Sequence, residues 1–212
     1  MIASPRFYQE EGIDYEETFA LVARLEAIRM LLAFACFKDF VLYQIDMKSV
    51  FLNGFINEEV YVEQPPNFQS FSFPNHVFKL KKTLYGLKQA HRAWYERLSK
   101  FLLQKGFKME KIDTTLFIKT KEKDMLLVQI YVDDIIFGAT NVSLCKEFTK
   151  WMYSKFEMSM IGELNFFLGL EIKQLKGRNL HQSSKIYKRS SQKVQHGRSQ
   201  NNEDSNELIH QA

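Results

Sequence analysis

At 212 residues the chain is long enough for one domain with subdomains, and its 45% hydrophobic and 14% aromatic content supports a sizeable core. A formal net charge of +4 is mildly basic, short of the bias of a dedicated nucleic-acid binder. No apolar run is long enough to cross a bilayer and no secretory signal is visible, so an intracellular protein without a transmembrane segment is expected. The five histidines show no zinc pattern, and Cys36 and Cys145 read as reduced, small core residues.

Leu25, Ile28, Leu32 and Cys36 recur at helical spacing, which predicts an amphipathic helix over about 22–37. The apolar run 40–45 reads as a strand that ends at Asp46, followed by a short helix around 49–54 carrying Phe51. A short strand at 60–62 stops at Pro65–Pro66, a loop follows over 67–76, and 77–80 is a further short strand. Trp94, Leu98, Phe101 and Leu102 form the buried stripe of the next helix, with Gly106 as its stop signal. Strands are expected at 116–119, 126–132 and 135–137, a helix over about 141–156 and a strand at 164–172. Lys79, Lys81, Lys82, Lys88, Arg92 and Arg97 cluster around LYGLKQ, where they would neutralise phosphates or simply solvate a helix face.

The stretch LLVQIYVDDIIFGA (126–139) is two apolar runs meeting at Asp133 and Asp134, which predicts a β-hairpin with two carboxylates at its tip. Carboxylates held together repel unless a cation lies between them, and hard oxygen ligands favour Mg²⁺. The plain alternative is a solvated Asp-Asp turn. Asp46, at the end of another strand, becomes a third carboxylate if the two strands converge. Two Mg²⁺ ions about 3.5–4 Å apart are the apparatus of in-line phosphoryl transfer.

Together IDMKSVFLNGFINEEVYVEQPPNF (45–68), LKKTLYGLKQAHRAWYERL (80–98) and YVDD (131–134) resemble the reverse transcriptase of copia-type long-terminal-repeat retrotransposons. EEGIDYEETFALVARLEAIR (10–29) and GELNFFLGLEIKQ (162–174) belong to the same pattern. The resemblance implies an α+β fold: the palm of a right-hand polymerase, a ferredoxin-like antiparallel sheet with helices on one face, partial fingers and no thumb. It implies that Asp46, Asp133 and Asp134 hold two Mg²⁺ ions, with Mn²⁺ as a substitute, and catalyse nucleotidyl transfer. Phe51 matches the aromatic gate that excludes a ribose 2′-hydroxyl, a role otherwise filled by an ordinary core ring among 19 Phe. Gly86 and Lys88 would face the dNTP or template, although Gly86 equally suits the turn before a helix. Leu168 and Gly169 would position the primer end, or Gly169 would mark a bulge. The implied partners are an RNA or DNA template with primer, dNTPs and, in the family, other Pol-derived domains such as integrase and ribonuclease H, with no membrane.

The family-like region is expected over 7–176, after an aberrant leader at 1–6. From 177 to 212 large apolar residues are few and no period is visible, so a disordered tail is expected. With synonymous codons freely chosen over 179–207, a one-nucleotide shift restores a family-like continuation. A frameshift near codons 176–178 is therefore expected, and sequencing the locus tests it. Leu21 and His91 stand where the family usually has Pro, and Val50 where Ala is usual. The sequence thus points to an RNA-directed DNA polymerase domain that is weak or degenerate. The alternatives are an inactive retroelement remnant with at most weak nucleic-acid binding, or a generic ferredoxin-like interaction module, rejected unless the three Asp lie far apart.

Overall fold

The computed structural model describes residues 9–15, 25–174 and 186–188. Helix α1 (Leu25–Phe37) buries Ile28, Leu31, Leu32 and Ala35, the expected i, i+3, i+4, i+7 stripe. It closes in a Schellman turn: Asp39 sits at φ 55°, and the N–H groups of Asp39 and Phe40 donate to the carbonyls of Cys36 (3.3 Å) and Ala35 (3.0 Å). That turn delivers the chain into β1 (Leu42–Met47). A 3₁₀ turn (Val50–Asn53), a small hairpin of β2 (Tyr61–Val62) and β3 (Phe78–Lys79), and helix α2 (Ala90–Gln104) follow. Then come β4 (Lys108–Met109), β5 (Leu116–Lys121), β6 (Asp124–Tyr131), β7 (Asp134–Ala139), α3 (Val142–Lys155) and β8 (Met158–Glu163).

Six of these strands form one antiparallel sheet in the order β4-β5-β6-β7-β1-β8. Within it, β8-β1-β7-β6, with α2 between β1 and β6 and α3 between β7 and β8, is the ferredoxin-like split βαβ arrangement. Alternation along the strands sends Ile45 and Met47 of β1 and Ile135, Phe137 and Ala139 of β7 to one face. There they pack on Trp94, Leu98, Phe101 and Leu102 of α2 and on Leu144, Cys145, Phe148 and Met152 of α3. Leu42, Leu127 and Ile136 enter a second cluster on the other face, with the buried stripe of α1. Layered on both sides, the central strands read as nearly continuous apolar runs.

Several expectations are corrected. Helices lie on one face only for α2 and α3; α1 covers the opposite one. The strand expected at 40–45 runs on through Asp46 to Met47, because β7 and β8 pair with it from both sides. Strand β8 was not expected. Its MSMIGE sequence lacks a period-2 pattern, and a register shift opposite Gln44/Ile45 interrupts its pairing. In place of one strand at 164–172 there is a hairpin, β9 (Phe166–Phe167) and β10 (Leu170–Ile172). Cys145 is buried, which pushes its thiol up to about 11, but Cys36 is exposed on the outer side of α1. Inside the segment expected to be a disordered tail, β11 (Ile186–Lys188) pairs with β10. The rest of that tail, the 1–6 leader and Leu21 lie outside the described residues.

Candidate active site

The hairpin expected from the acidic pair is present. Tyr131 pairs with Asp134 across β6 and β7, leaving Val132 and Asp133 as a two-residue turn. Val132 has φ 53°, a left-handed conformation that a β-branched residue rarely adopts. Two hydrogen bonds pin the turn: Trp94 Nε1–H donates to the Val132 carbonyl at 2.9 Å, and the Met47 N–H donates to the Asp133 carbonyl at 3.1 Å. Trp94 itself is fully buried. The helix behind the sheet and the neighbouring strand thus fix the tip of the acidic hairpin.

Asp46 lies directly opposite Asp134 in the β1–β7 register, so both side chains leave the same face of the sheet. Burial above all, then the charge of Asp133, raises the Asp46 carboxyl; the Met47 N–H and Lys48 act against that rise. Burial likewise raises Asp134, with the charges of Asp133 and Asp46 adding to it and a hydrogen bond from Gln44 opposing it. The Gln44 Nε2 amide donates to Asp134 Oδ1 at 2.7 Å. The three aspartates are therefore close enough to repel one another. Among the described residues no three His, Cys, Asp or Glu side chains close into a ready-made metal cage. Mg²⁺ commonly keeps several waters and takes only one or two carboxylates together with substrate phosphates, so the donor set fits it without such a cage.

Phe51 rides on the 3₁₀ turn, half-buried, with its ring edge-to-face on Tyr85 (centroids 5.0 Å) and His91 (4.3 Å). Three features dock this turn on α2 and on the segment leading into it. Thr83 Oγ1 donates to the Phe51 carbonyl, and Arg97 donates to the Asn53 carbonyl. At Gly54 an added Cβ would lie 2.7 Å from Thr83 Oγ1, 2.9 Å from Ala93 Cβ and 3.0 Å from the Trp94 nitrogen. His91, in contact with Phe51, also feels the carboxylates: burial lowers its pKa, while the charge of Asp133 acts to raise it.

Gly86 has φ 99° in the turn closed by the Leu87 N–H to the Leu84 carbonyl, just before α2, which is its turn-forming alternative. Lys88 is exposed, and its N–H donates to Gln9 Oε1 at 2.9 Å. The basic cluster around LYGLKQ is partly engaged. Lys79 pairs with Glu59, Arg92 with Glu96 at 2.9 Å, and Arg97 lies over the Phe55 and Phe156 rings. Lys81, Lys82 and Lys88 remain on the surface. Leu168 (φ 47°) and Gly169 (φ 79°) form the two-residue turn of the β9–β10 hairpin. That hairpin reaches the site through Phe167, whose ring meets Tyr131, three residues before Asp134, edge-on at 5.4 Å.

Four residues escaped the sequence reading. Gln44 was visible as one polar residue inside FVLYQI, Val132 as the β-branched member of the turn, and Trp94 was read as core alone. Gln89, at the head of α2, is buried; its Oε1 accepts from Gln9 Nε2 at 3.0 Å, while its Nε2 has no partner among the described residues.

A family model described as Reverse transcriptase (RNA-dependent DNA polymerase) matches residues 2–195. Among curated proteins, the chain is similar to the retrovirus-related Pol polyprotein from transposon RE1 of Arabidopsis thaliana. The two are 38% identical over 181 residues, covering 85% of this chain and 12% of that protein. The corresponding polyprotein from transposon RE2 of the same plant is 36% identical over 181 residues, with the same shares of 85% and 12%. That from transposon TNT 1-94 of Nicotiana tabacum is 33% identical over 167 residues, 78% of this chain and 13% of that protein. The chain thus spans about an eighth of the length of these relatives. No solved structure matches it. With residues 2–195 matched, the chain belongs to the reverse transcriptase (RNA-dependent DNA polymerase) family, in the form found in the Pol polyproteins of copia-type transposons.

Proposed function

We propose that this chain is the palm, with part of the fingers, of a polymerase that joins a dNTP to a primer on an RNA or DNA template. One observation carries the reading: Asp46 faces Asp134 across two paired strands, with Asp133 in the adjoining turn. Bound divalent cations, Mg²⁺ or Mn²⁺, would supply activation of the primer 3′-hydroxyl and neutralise the leaving pyrophosphate. Asp46, Asp133 and Asp134 would hold them. Phe51, braced edge-to-face by His91 and Tyr85, presents a ring that a 2′-hydroxyl would strike. Lys88, exposed beside Gly86 at the entrance to α2, offers a cation to phosphate, and the Leu168–Gly169 turn supports the primer end.

The synthesis is weak. His91, a departure from the family pattern, packs on the gate ring, and the buried Val50, another departure, sits in the core cluster with Ile45, Met47 and Trp94, directly behind the strand that carries Asp46. The same departures favour the second reading, an inactive retroelement remnant. In the longer protein, integrase and ribonuclease H domains are the natural partners. No helix among the described residues is long and apolar enough to cross a membrane.

Incubation with primed RNA, dNTPs and Mg²⁺ is the test. Short, Asp134→Asn-sensitive extension is expected, and Phe51→Ala should admit ribonucleotides. Extension over many nucleotides would contradict the weak-synthesis reading, and no metal-dependent incorporation at all would favour the remnant.

A further inference from the structure

Gln44 sits at a boundary within β1. On the carboxylate face of the strand, Leu42 belongs to the apolar cluster under α1, Asp46 is half-exposed, and Gln44 lies between them at 7% exposure. A nearly buried amide needs a partner, since an unmet polar group in such a place costs about 1–3 kcal/mol. The partner it has is Asp134 Oδ1, at 2.7 Å. The other oxygen of Asp134 makes no hydrogen bond among the described residues.

We propose that Gln44 is a positioning residue for nucleotidyl transfer: it holds one oxygen of Asp134 so that the other remains turned to a divalent cation. The choice of side chain supports this. A neutral amide orients a carboxylate while leaving its negative charge whole, whereas Lys or Arg in the same place would compete with the cation for it. The bond is also rigid at both ends, because Gln44 and Asp134 project from paired strands anchored by the Asp46–Asp134 and Gln44–Ile136 registers. Outer partners of this kind orient metal ligands, and their loss commonly weakens metal binding by about 10–100-fold.

The inference rests on the three-carboxylate reading above, so the test separates the two. Full-length protein is titrated with Mn²⁺ alone, followed by electron paramagnetic resonance, for the wild type, Gln44→Met, Asp134→Asn and the double variant, with thermal unfolding of each. Gln44→Met should weaken Mn²⁺ binding about tenfold. The double variant should bind no worse than Asp134→Asn, since the amide acts only through that carboxylate. Unchanged Mn²⁺ affinity in Gln44→Met, or a loss that adds fully to that of Asp134→Asn, overturns the role of Gln44 alone. A wild type that binds no Mn²⁺ overturns both. Should Gln44→Met fail to fold, Gln44→Asn, whose shorter amide cannot span the gap, carries the same comparison.

Discussion

Val132 holds the strain of the site. A β-branched residue at φ 53° stores on the order of 1–3 kcal/mol, and the indole of Trp94 is one of the two donors that hold it there. Trp94→Phe keeps a ring in the core but leaves the Val132 carbonyl without that donor. We expect a loss of about 1–3 kcal/mol, read by denaturant unfolding, with nucleotide incorporation falling further than the stability loss alone accounts for. Asp46 gives a prediction of opposite sign. Burial and Asp133 raise its carboxyl above the ordinary 3.8, so the folded chain holds that proton more tightly than the unfolded one. Stability therefore falls as pH rises from 3.8 through the raised value, and at neutral pH the ionised group is a net cost. Asp46→Asn should raise the Tm at pH 7 in chelator, and the gain should vanish below about pH 3.8. Saturating Mg²⁺ should reverse the order by stabilising the wild type through mass action. A higher Tm for the wild type in chelator would contradict this account.

In the proposed reaction the 3₁₀ turn that carries Phe51 is the element that would set sugar selectivity, and Gly54 sets its distance from α2. Gly54→Ala would press a methyl against the Trp94 nitrogen, which is backbone and cannot yield as a side-chain tip can. A loss of about 1–3 kcal/mol is expected from the overpacking, together with weaker discrimination between dNTPs and rNTPs; calorimetry and competitive incorporation measure the two. This element also shows what the sequence conceals. The offset of Phe51 from Asp46 was legible, as were the stripes of α1 and α2 and the hairpin around Asp133 and Asp134, because each is a local pattern. The edge-to-face contacts of His91 and Tyr85 with Phe51, the hydrogen bond from Gln44 to Asp134 and the edge strand β8 were not. Each depends on a partner distant in the chain, and β8 owes its conformation to β1 rather than to its own residues. Arg97 is a similar case: in the sequence it reads as a phosphate-neutralising or a solvated helix residue, and the rings of Phe55 and Phe156 under its guanidinium come from distant parts of the chain.

At the scale of the molecule, β6 and β7 are shared by two apolar clusters, one under α2 and α3 and one under α1. Ile136, fully buried in the second cluster, sits two residues beyond Asp134. Ile136→Ala should cost about 2–5 kcal/mol, and chemical denaturation should remain a single transition for wild type and variant, since neither cluster keeps its sheet wall without the other. Two transitions would show that α1 and its cluster fold independently of the carboxylate-bearing sheet. The proposed function requires Asp46, Asp133 and Asp134 to act together as a divalent-cation site. Anomalous diffraction from crystals of this chain soaked in Mn²⁺ and a dNTP tests it most directly. The account predicts Mn²⁺ peaks bounded by these three side chains, lost in the Asp133→Asn variant; an ordered dNTP with no peak beside them would contradict it.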